Sequence, residues 1–485
     1  MIKVLHISSE CYPAAKAGGM GDVVGALPKY LPQQNVEASV VIPMYRTKWI
    51  INAAFRRIYI GYVNLDGEKI DFTIFQYKGR DLKYPFYCVD IPGKFDREDI
   101  YLDTDGHGYK DEPERNVLFQ RAVLQWLTYS DRKYDILHCH DHMTGLIPFM
   151  IQRCKEFTSL SEIPCLFTIH NGQYRGVFEW DRVGPYIPEY DTAHSGLLDW
   201  DDKINSLAAA IKCAWAVNTV SPTYMTEIIR DSDTLTILYN DVRDKLHGII
   251  NGVDNNLWDP EHDVLLSHNL IGNDWESFKN NQKKELCKKY KLNKELPLIG
   301  FIGRLAHQKG ADLLKASLEQ CLQSGLQFSV IILGTGDKGI ENDLVELRNT
   351  FPDNVAVEIA YDEKVSRLIY AATDFLIMPS RFEPCGLNQL FAMRYGSVPI
   401  VSAVGGLCDT VPDINDGGNG IVVPYAKVED ISEGINKAID LYRNKKKYQK
   451  LRSKITAEDY SWNNSAKQYA ELYHSFIDSN KISMY

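Results

Sequence analysis

Between residues 298 and 423 the chain alternates short apolar runs with amphipathic stretches, and this alternation constrains the fold more than any other feature. Apolar runs at 298–302, 329–333, 356–359, 375–378, 399–401 and 420–423 read as strands. Helical periodicity fills the gaps at 311–321, 340–350, 365–371, 388–394 and 431–441. Strands separated by helices of that length form a parallel sheet with helices on both faces. The first half repeats the pattern more loosely. Strands are predicted at 2–8, 38–42, 73–77, 86–91, 136–139, 165–169 and 216–220, and helices at 22–30, 113–127, 144–150 and 204–213. The stretch 73–91 reads as a hairpin rather than a crossover. The expected fold class is α/β, with two doubly wound parallel-sheet domains. Their seam is expected near 254–274, where Asn, Asp and Pro favour irregular backbone, followed by a polar helix at 275–290. A last long helix is expected at 462–477, and the basic run 443–450 reads as a solvated helix end.

Charge narrows the partners. Lys and Arg number 54 and Asp and Glu 64, a net −10 over 485 residues. A protein that coats nucleic acid or an anionic membrane needs a basic face, so neither partner is expected. No stretch approaches the ~18 apolar residues of a membrane helix, and the N-terminus is too soon polar for a signal peptide. The ten cysteines include no C-x-x-C pair, which points to buried, reduced thiols in a cytoplasmic protein.

Open parallel sheets bind ligands at the carboxyl ends of their strands, so the informative residues should follow strands. The first strand ends in a loop holding Lys16, Gly18, Gly19 and Gly21, which opens a helix near Asp22. Glycines permit close backbone approach and helix N-termini favour anions, so an anion or sugar-phosphate site competes here with a plain tight turn. The segment HCHDH puts His138 and His140 on one face of a strand, followed by Asp141 and His142. A metal-ligand set would need one more residue before the Asp; buried histidines and a sugar-hydroxyl role for Asp141 are the other readings. His170 emerges where an apolar run stops, and Asn171 and Gly172 turn the chain. Arg304 and Lys309 sit between a strand and a helix N-terminus, where a forked guanidinium and an ammonium can neutralise a diphosphate without metal. GTGDKG at 334–339 fits G-x-G-x-x-G literally, with Glu358 about 20 residues on. It follows the second strand of its domain and a polar helix follows it, which weakens a dinucleotide reading. In PSRFEPCGL at 379–387, Arg381 and Glu383 bracket Phe382, and Cys385, Gly386 and Leu387 open a helix. A carboxylate there can hold sugar hydroxyls beside a helix N-terminus; a capped helix with a surface ion pair is the plainer reading. Gly405 and Gly406 add another close-approach loop after the next strand. No P-loop, G-x-S-x-G or spaced Cys/His zinc set occurs.

Taken together, KAGGMGDV (16–23), HDHMTGL (140–146), TIHNGQYRG (168–176), VSPTY (220–224), GIINGVD (248–254), GRLAHQKG (303–310) and PSRFEPCGL (379–387) resemble the bacterial glycogen synthase and plant starch synthase family, in family order and over nearly the whole chain. The resemblance implies a GT-B fold with two Rossmann-like domains facing a deep cleft. An N-terminal domain would span 1–258, with the glycine loop on the acceptor side. A donor domain would span 259–460, and a helix at 461–485 would cross back. It implies transfer of glucose from a nucleotide diphosphoglucose, ADP-glucose in most bacteria, to the non-reducing end of an α-1,4-glucan such as glycogen, with retention and without metal or other cofactor. By the same resemblance Arg304 and Lys309 bind the diphosphate. Lys16, Gly18 and Gly19 form the loop over phosphate and glucose, Glu383 is the essential carboxylate, and His170 lies beside the reacting sugar with Asn171 next to it. Asp141 is the acid near donor and acceptor, and Cys385, Gly386 and Leu387 anchor glucose and phosphate. Asp22, Asn251 and Tyr361 lie around the adenosine. Domain closure would bring Lys16 towards Arg304. His142 departs from the family's usual Trp, Met20 from Leu and Asn388 from Thr. Position 391 is Phe, so the E-x7-E pattern of sucrose-synthase-like relatives fails. Three alternatives stand beside this reading: a related retaining transferase using UDP-glucose or another acceptor, an inactive glucan-binding protein, and an NAD-dependent oxidoreductase working through GTGDKG.

Overall fold

The computed structural model describes residues 1–65, 67–103 and 105–482, so the last three residues of the expected 461–485 segment lie outside the described residues. The chain divides into two units, Met1–Asn251 with Trp462–Tyr485, and Gly252–Ser461. The first dividing point lies seven residues ahead of the expected 258.

The first unit is built on β1 (Ile2–Ile7), β2 (Val36–Pro43), β3 (Phe55–Leu65), β4 (Glu68–Tyr77), β5 (Phe86–Asp90), β6 (Ile136–His140) and β7 (Cys165–Ile169). Three short strands follow, β8 (Val177–Phe178), β9 (Asp199–Trp200) and β10 (Lys203–Asn205), then β11 (Ala216–Thr219) and β12 (Leu246–Gly248). The nine-stranded sheet runs β12-β11-β7-β6-β1-β2-β5-β4-β3, and β8-β10-β9 form a small separate sheet. From β12 to β5 every pairing is parallel, in register at Val4↔Ala38 and Val4↔Ile136. The central strands are buried on both faces, as parallel sheets require, and the polar side chains they carry, His6, His138 and His140 among them, are buried with them. The chain moves out from β1 in both directions, so the β1–β6 junction is where the strand order reverses.

The expected hairpin at 73–91 is present as the antiparallel β4–β5 pair, but β4 also pairs over its whole length with β3. β3 lies outside the predicted strands for a physical reason. It is an edge strand whose Ile58–Val63 segment is apolar and β-prone, yet only Val63 is buried, so its hydrophobic pattern does not follow a core face. The helix expected from 204 starts instead at Ser206, because Lys203–Asn205 is a strand and the Asn205 side chain caps the helix. The helix expected from 22 starts at Gly19.

Helix Trp462–Ile482 belongs to this first unit. Trp462, Ala466, Tyr469, Tyr473 and Phe476 recur at helical spacing and pack against Val4, Val23, Leu27 and Ile136. Two of its tyrosines carry buried polar contacts: Asn218 donates to the Tyr469 hydroxyl at 2.8 Å, and the Tyr473 hydroxyl meets His138 Nδ1 at 2.7 Å.

The second unit holds β13 (Leu298–Ile302), β14 (Ser329–Gly334), β15 (Val355–Ile359), β16 (Phe375–Met378), β17 (Val398–Ser402) and β18 (Ile421–Val423). Their order is β15-β14-β13-β16-β17-β18, all parallel. Numbered within the unit this is 3-2-1-4-5-6, the Rossmann order, whose switch point lies between β13 and β16. Asp274, Asp337 and Asp362 cap the helices Trp275–Tyr290, Lys338–Thr350 and Glu363–Ala372 with their side chains. No helix among the described residues is long and apolar enough to cross a membrane.

Candidate active site

In the second unit the candidate residues gather at the switch point. β13 ends at Ile302, and the loop that follows carries exposed Arg304, whose Nη2 donates to Gln308 Oε1 at 2.9 Å. Lys309 closes the loop. Its Nζ reaches both oxygens of the Glu383 carboxylate, at 2.8 and 2.6 Å, and Ser380 Oγ donates to the same carboxylate at 3.1 Å. Glu383 is buried. Gly310 then takes φ +66°, and a Cβ there would stand 2.0 Å from the Pro379 carbonyl oxygen. Only glycine lets the β13 loop lie this close to the β16 loop.

Arg381 stitches the same two loops. Its guanidinium forks onto Asp312 at 2.6 and 2.8 Å and donates to the His307 carbonyl at 2.7 Å. The plainer expectation of a capped helix with a surface ion pair is met only in the ion pair, since no side chain caps the helix that starts at Asn388. Beyond Glu383, Gly386 takes φ +74°, and Gln389 Nε2 donates to the carbonyls of Cys385 and Gly386. Gly406 N donates to the Glu383 carbonyl at 3.1 Å. A small open pocket lies among Phe301, Ile302, Lys309, Met378, Ser380, Glu383, Leu387 and Asn388. Tyr361 is 83% exposed.

GTGDKG serves packing. A Cβ on Gly334 would fall 2.0 Å from the Gly303 carbonyl oxygen, and one on Gly336 2.4 Å from that of Leu305. Both glycines let β14 and its loop lie against the Arg304 loop. Asp337 caps the helix that follows, so the literal dinucleotide motif is accounted for without a ligand.

In the first unit two groups form at the β1–β6 junction. β1 runs into Glu10, a buried carboxylate absent from the sequence-based candidates. Its Oε2 accepts from Ala17 N at 2.7 Å and Gly18 N at 2.8 Å, and Tyr101 donates to Oε1 at 2.7 Å. Burial raises the Glu10 carboxyl against the pull of these donors. The Ala17 and Gly18 amides of the glycine loop are thus bonded to Glu10. Gly21 packs against Glu10 and Lys16, and Gly25 passes so close to the Tyr12 carbonyl that a Cβ would lie 2.4 Å away. Lys16 Nζ pairs with Asp22 at 2.7 Å.

The second group joins the ends of β6 and β7. Asp141 holds φ +56°, a left-handed conformation unusual for a residue with a side chain. Its Oδ1 accepts from His170 N at 2.7 Å and Asn171 N at 3.4 Å. Burial pushes the Asp141 carboxyl up to about 7, with those two amides pulling the other way. The His170 ring bonds through Nε2 to His140 Nδ1 at 3.0 Å, and His140 Nε2 meets His6 Nδ1 at 3.1 Å. His6, His138 and His140 lie close enough to suggest a metal set. Both ring nitrogens of His138 are taken, however, by Tyr473 Oη and by Thr168 Oγ1, each at 2.7 Å, and those of His140 by histidines, so the donor set does not fit an ion. His142 sits 3.4 Å from Glu112, under Gly176. Asn251 is buried, and its Oδ1 has no partner among the described residues.

The structure therefore gathers Arg304, Lys309, Glu383, Cys385, Gly386 and Leu387 in one unit, and Lys16, Gly18, Gly19 and Asp22 beside Glu10 in the other, with Asp141, His170 and Asn171 tied together. Glu10, His6 and Arg381 with Asp312 were not legible as site residues. The one signal for Glu10 was its place at the carboxyl end of the first strand.

Residues 3–250 match the family described as starch synthase catalytic domain, and residues 282–457 match glycosyl transferases group 1. The glycogen synthase of Flavobacterium johnsoniae is 42% identical over 477 residues, covering 98% of this chain and 99% of that protein. The glycogen synthase of Rhodospirillum rubrum is 35% identical, covering 98% and 99%. Among solved structures, the catalytic domain of starch synthase IV from Arabidopsis thaliana bound to ADP and acarbose aligns with TM-score 0.89 at 30% identity, over 98% of this chain and 99% of that one. With a Rossmann strand order in its second unit and full-length similarity to these enzymes, the chain belongs to the glycogen synthase and starch synthase family of GT-B glucosyltransferases.

Proposed function

We propose that the protein transfers glucose from ADP-glucose to the non-reducing end of an α-1,4-glucan, with retention of configuration. The observation that carries this reading is the Lys309–Glu383 contact at the β13–β16 switch point, with Arg304 on the same loop. An ammonium, a guanidinium and a buried carboxylate there match what a sugar diphosphate presents: two phosphates and a ring of hydroxyls. The starch synthase IV structure was solved with ADP, which supports adenine as the base.

Catalysis in this reading is electrostatic. Negative charge grows on the departing diphosphate, and Arg304 and Lys309 stabilise it. Glu383 holds the glucose hydroxyls while the anomeric carbon gains oxocarbenium character, and the backbone of Cys385, Gly386 and Leu387 anchors sugar and phosphate. Lys16 adds a further cation from the Gly18–Gly19 loop. No side chain becomes a covalent nucleophile. The glucan hydroxyl attacks on the face the diphosphate leaves, and the leaving phosphate takes its proton. Asp141 and His170 with Asn171 line the sugar, while Asp22, Asn251 and Tyr361 complete the nucleoside side. Free thiols, nine of the ten buried, suit a reducing cytoplasm.

Incorporation of labelled glucose into glycogen, from ADP-glucose and UDP-glucose in parallel and with EDTA present, tests the reading. Incorporation from ADP-glucose supports it, and incorporation from UDP-glucose alone replaces the donor. Glu383→Ala should lower turnover by orders of magnitude while ADP still binds, and unchanged turnover refutes the site.

A further inference from the structure

We propose that His6 and His140 act as positioning residues that fix the tautomer of His170, so that its free Nδ1 presents an N–H donor. This rests on the reading that His170 lies beside the transferred sugar. Three buried rings form a single file: His170 Nε2 to His140 Nδ1 at 3.0 Å, then His140 Nε2 to His6 Nδ1 at 3.1 Å. His138 stacks on His140 with ring centroids 4.1 Å apart but bonds to Tyr473 and Thr168, so it does not branch the file. At the far end, His6 Nε2 is buried and has no hydrogen-bond partner among the described residues. At the near end, His170 Nδ1 has no hydrogen bond to them either.

Burial lowers His6 and His170 to about 3 and holds His140 well below its usual range, so all three rings are neutral in ordinary buffers. A neutral imidazole has one N–H and one lone pair. Two hydrogen bonds in file then permit two arrangements. Either every N–H points away from His170, which leaves an N–H stranded at His6 Nε2, or every N–H points towards it, which leaves a lone pair there. A mixed arrangement sets lone pair against lone pair or N–H against N–H and breaks a bond. A buried N–H without an acceptor is the rarer and more costly orphan. The file therefore runs His6 Nδ1–H to His140 Nε2, and His140 Nδ1–H to His170 Nε2. His170 is left with its proton on Nδ1. It can donate to a hydroxyl oxygen of the sugar but cannot take a proton there. A site that spends a fixed donor on one hydroxyl discriminates against a sugar lacking that oxygen.

The test uses the full chain with 15N-labelled histidine. Long-range proton–nitrogen correlation spectra report the tautomer directly, with His170 assigned from the signal missing in His170→Gln. An Nδ1–H ring at His170 is expected, and an Nε2–H ring overturns the proposal whatever any variant does. The second arm measures kcat/KM for ADP-glucose against donors that each lack one glucose hydroxyl. The intact protein should prefer the full donor over one of them by about tenfold, the worth of one hydrogen bond made in the transition state. His140→Phe should lose that preference and give His170 as a mixture of tautomers. His140→Phe that keeps both the preference and the pure Nδ1–H ring overturns the proposal. If His170→Ala discriminates among the deoxy donors as the intact protein does, the placement of His170 on the sugar fails instead, and the spectrum still decides the tautomer.

Discussion

Replacing Asp141 with Asn should make the chain's stability less sensitive to pH, and the size follows from its burial. The carboxyl stands at about 7 in the fold, against 3.8 for an ordinary aspartate. The folded chain thus holds a proton that the unfolded chain releases. Stability from this group is full below pH ~4 and is lost as pH rises, at about 1.4 kcal/mol per pH unit until the folded carboxyl ionises near 7. Between pH 5 and pH 8 the loss is about 2.7 kcal/mol, two pH units of that slope. Asn keeps an oxygen in place of Oδ1 to accept from His170 N and Asn171 N, and it never ionises. In a unit of this size each kcal/mol moves the melting temperature by about 2–4 °C. The gap between Asp141→Asn and the unaltered chain should therefore widen by about 5–10 °C in the variant's favour from pH 5 to pH 8. Differential scanning calorimetry at four or five pH values measures it. A gap that stays constant across that range would refute the reasoning and place the Asp141 proton elsewhere.

Three further outcomes are expected. Gly310→Ala forces a Cβ to within 2.0 Å of the Pro379 carbonyl at φ +66°, so it should lower the melting temperature by about 10 °C, corresponding to a loss of ~3 kcal/mol or more, and scanning fluorimetry would show it. Glu10→Gln removes the charge that holds Ala17 N and Gly18 N; the KM for the donor should rise by up to about tenfold with a smaller change in kcat, and an unaltered KM in initial-rate assays would mean the loop needs no such anchor. Tyr473→Phe strands a ring nitrogen of His138 and should destabilise the chain by about 1–2 kcal/mol in urea titrations, leaving kcat and KM as they were.

The sheets of both units were legible because their central strands are buried on both faces and so read as largely apolar runs, as at Leu298–Ile302 and, but for Thr168, at Cys165–Ile169. β3 was missed although Ile58–Val63 is apolar and β-prone, and in the structure solvent reaches most of its length. The same division holds at the site. Arg304, Lys309 and Glu383 were legible because each follows a strand and belongs to a contiguous motif. Glu10 and His6 were not, since their meaning lies in partners far along the chain: Tyr101, and a histidine 134 residues away. The Arg381–Asp312 fork spans 69 residues and carries no local signature either. Contacts that hold a site in place are written in pairs, and a single sequence shows one member at a time.

The return of helix Trp462–Ile482 to the first unit also sets an order of assembly. Trp462, Tyr469, Tyr473 and Phe476 fill the core around Val4 and Ile136, so that core is incomplete until residue 476 has been made. The second unit, Gly252–Ser461, is contiguous and is whole once residue 461 has left the ribosome. The unit begun before the other is therefore completed after it, and until residues 462–476 are made its apolar residues around Val4 and Ile136 lack the helix that covers them. A nonsense mutation at 462 or within the next few codons would spare the second unit and leave the first without its closing helix, which makes this helix a checkpoint on synthesis beyond residue 461.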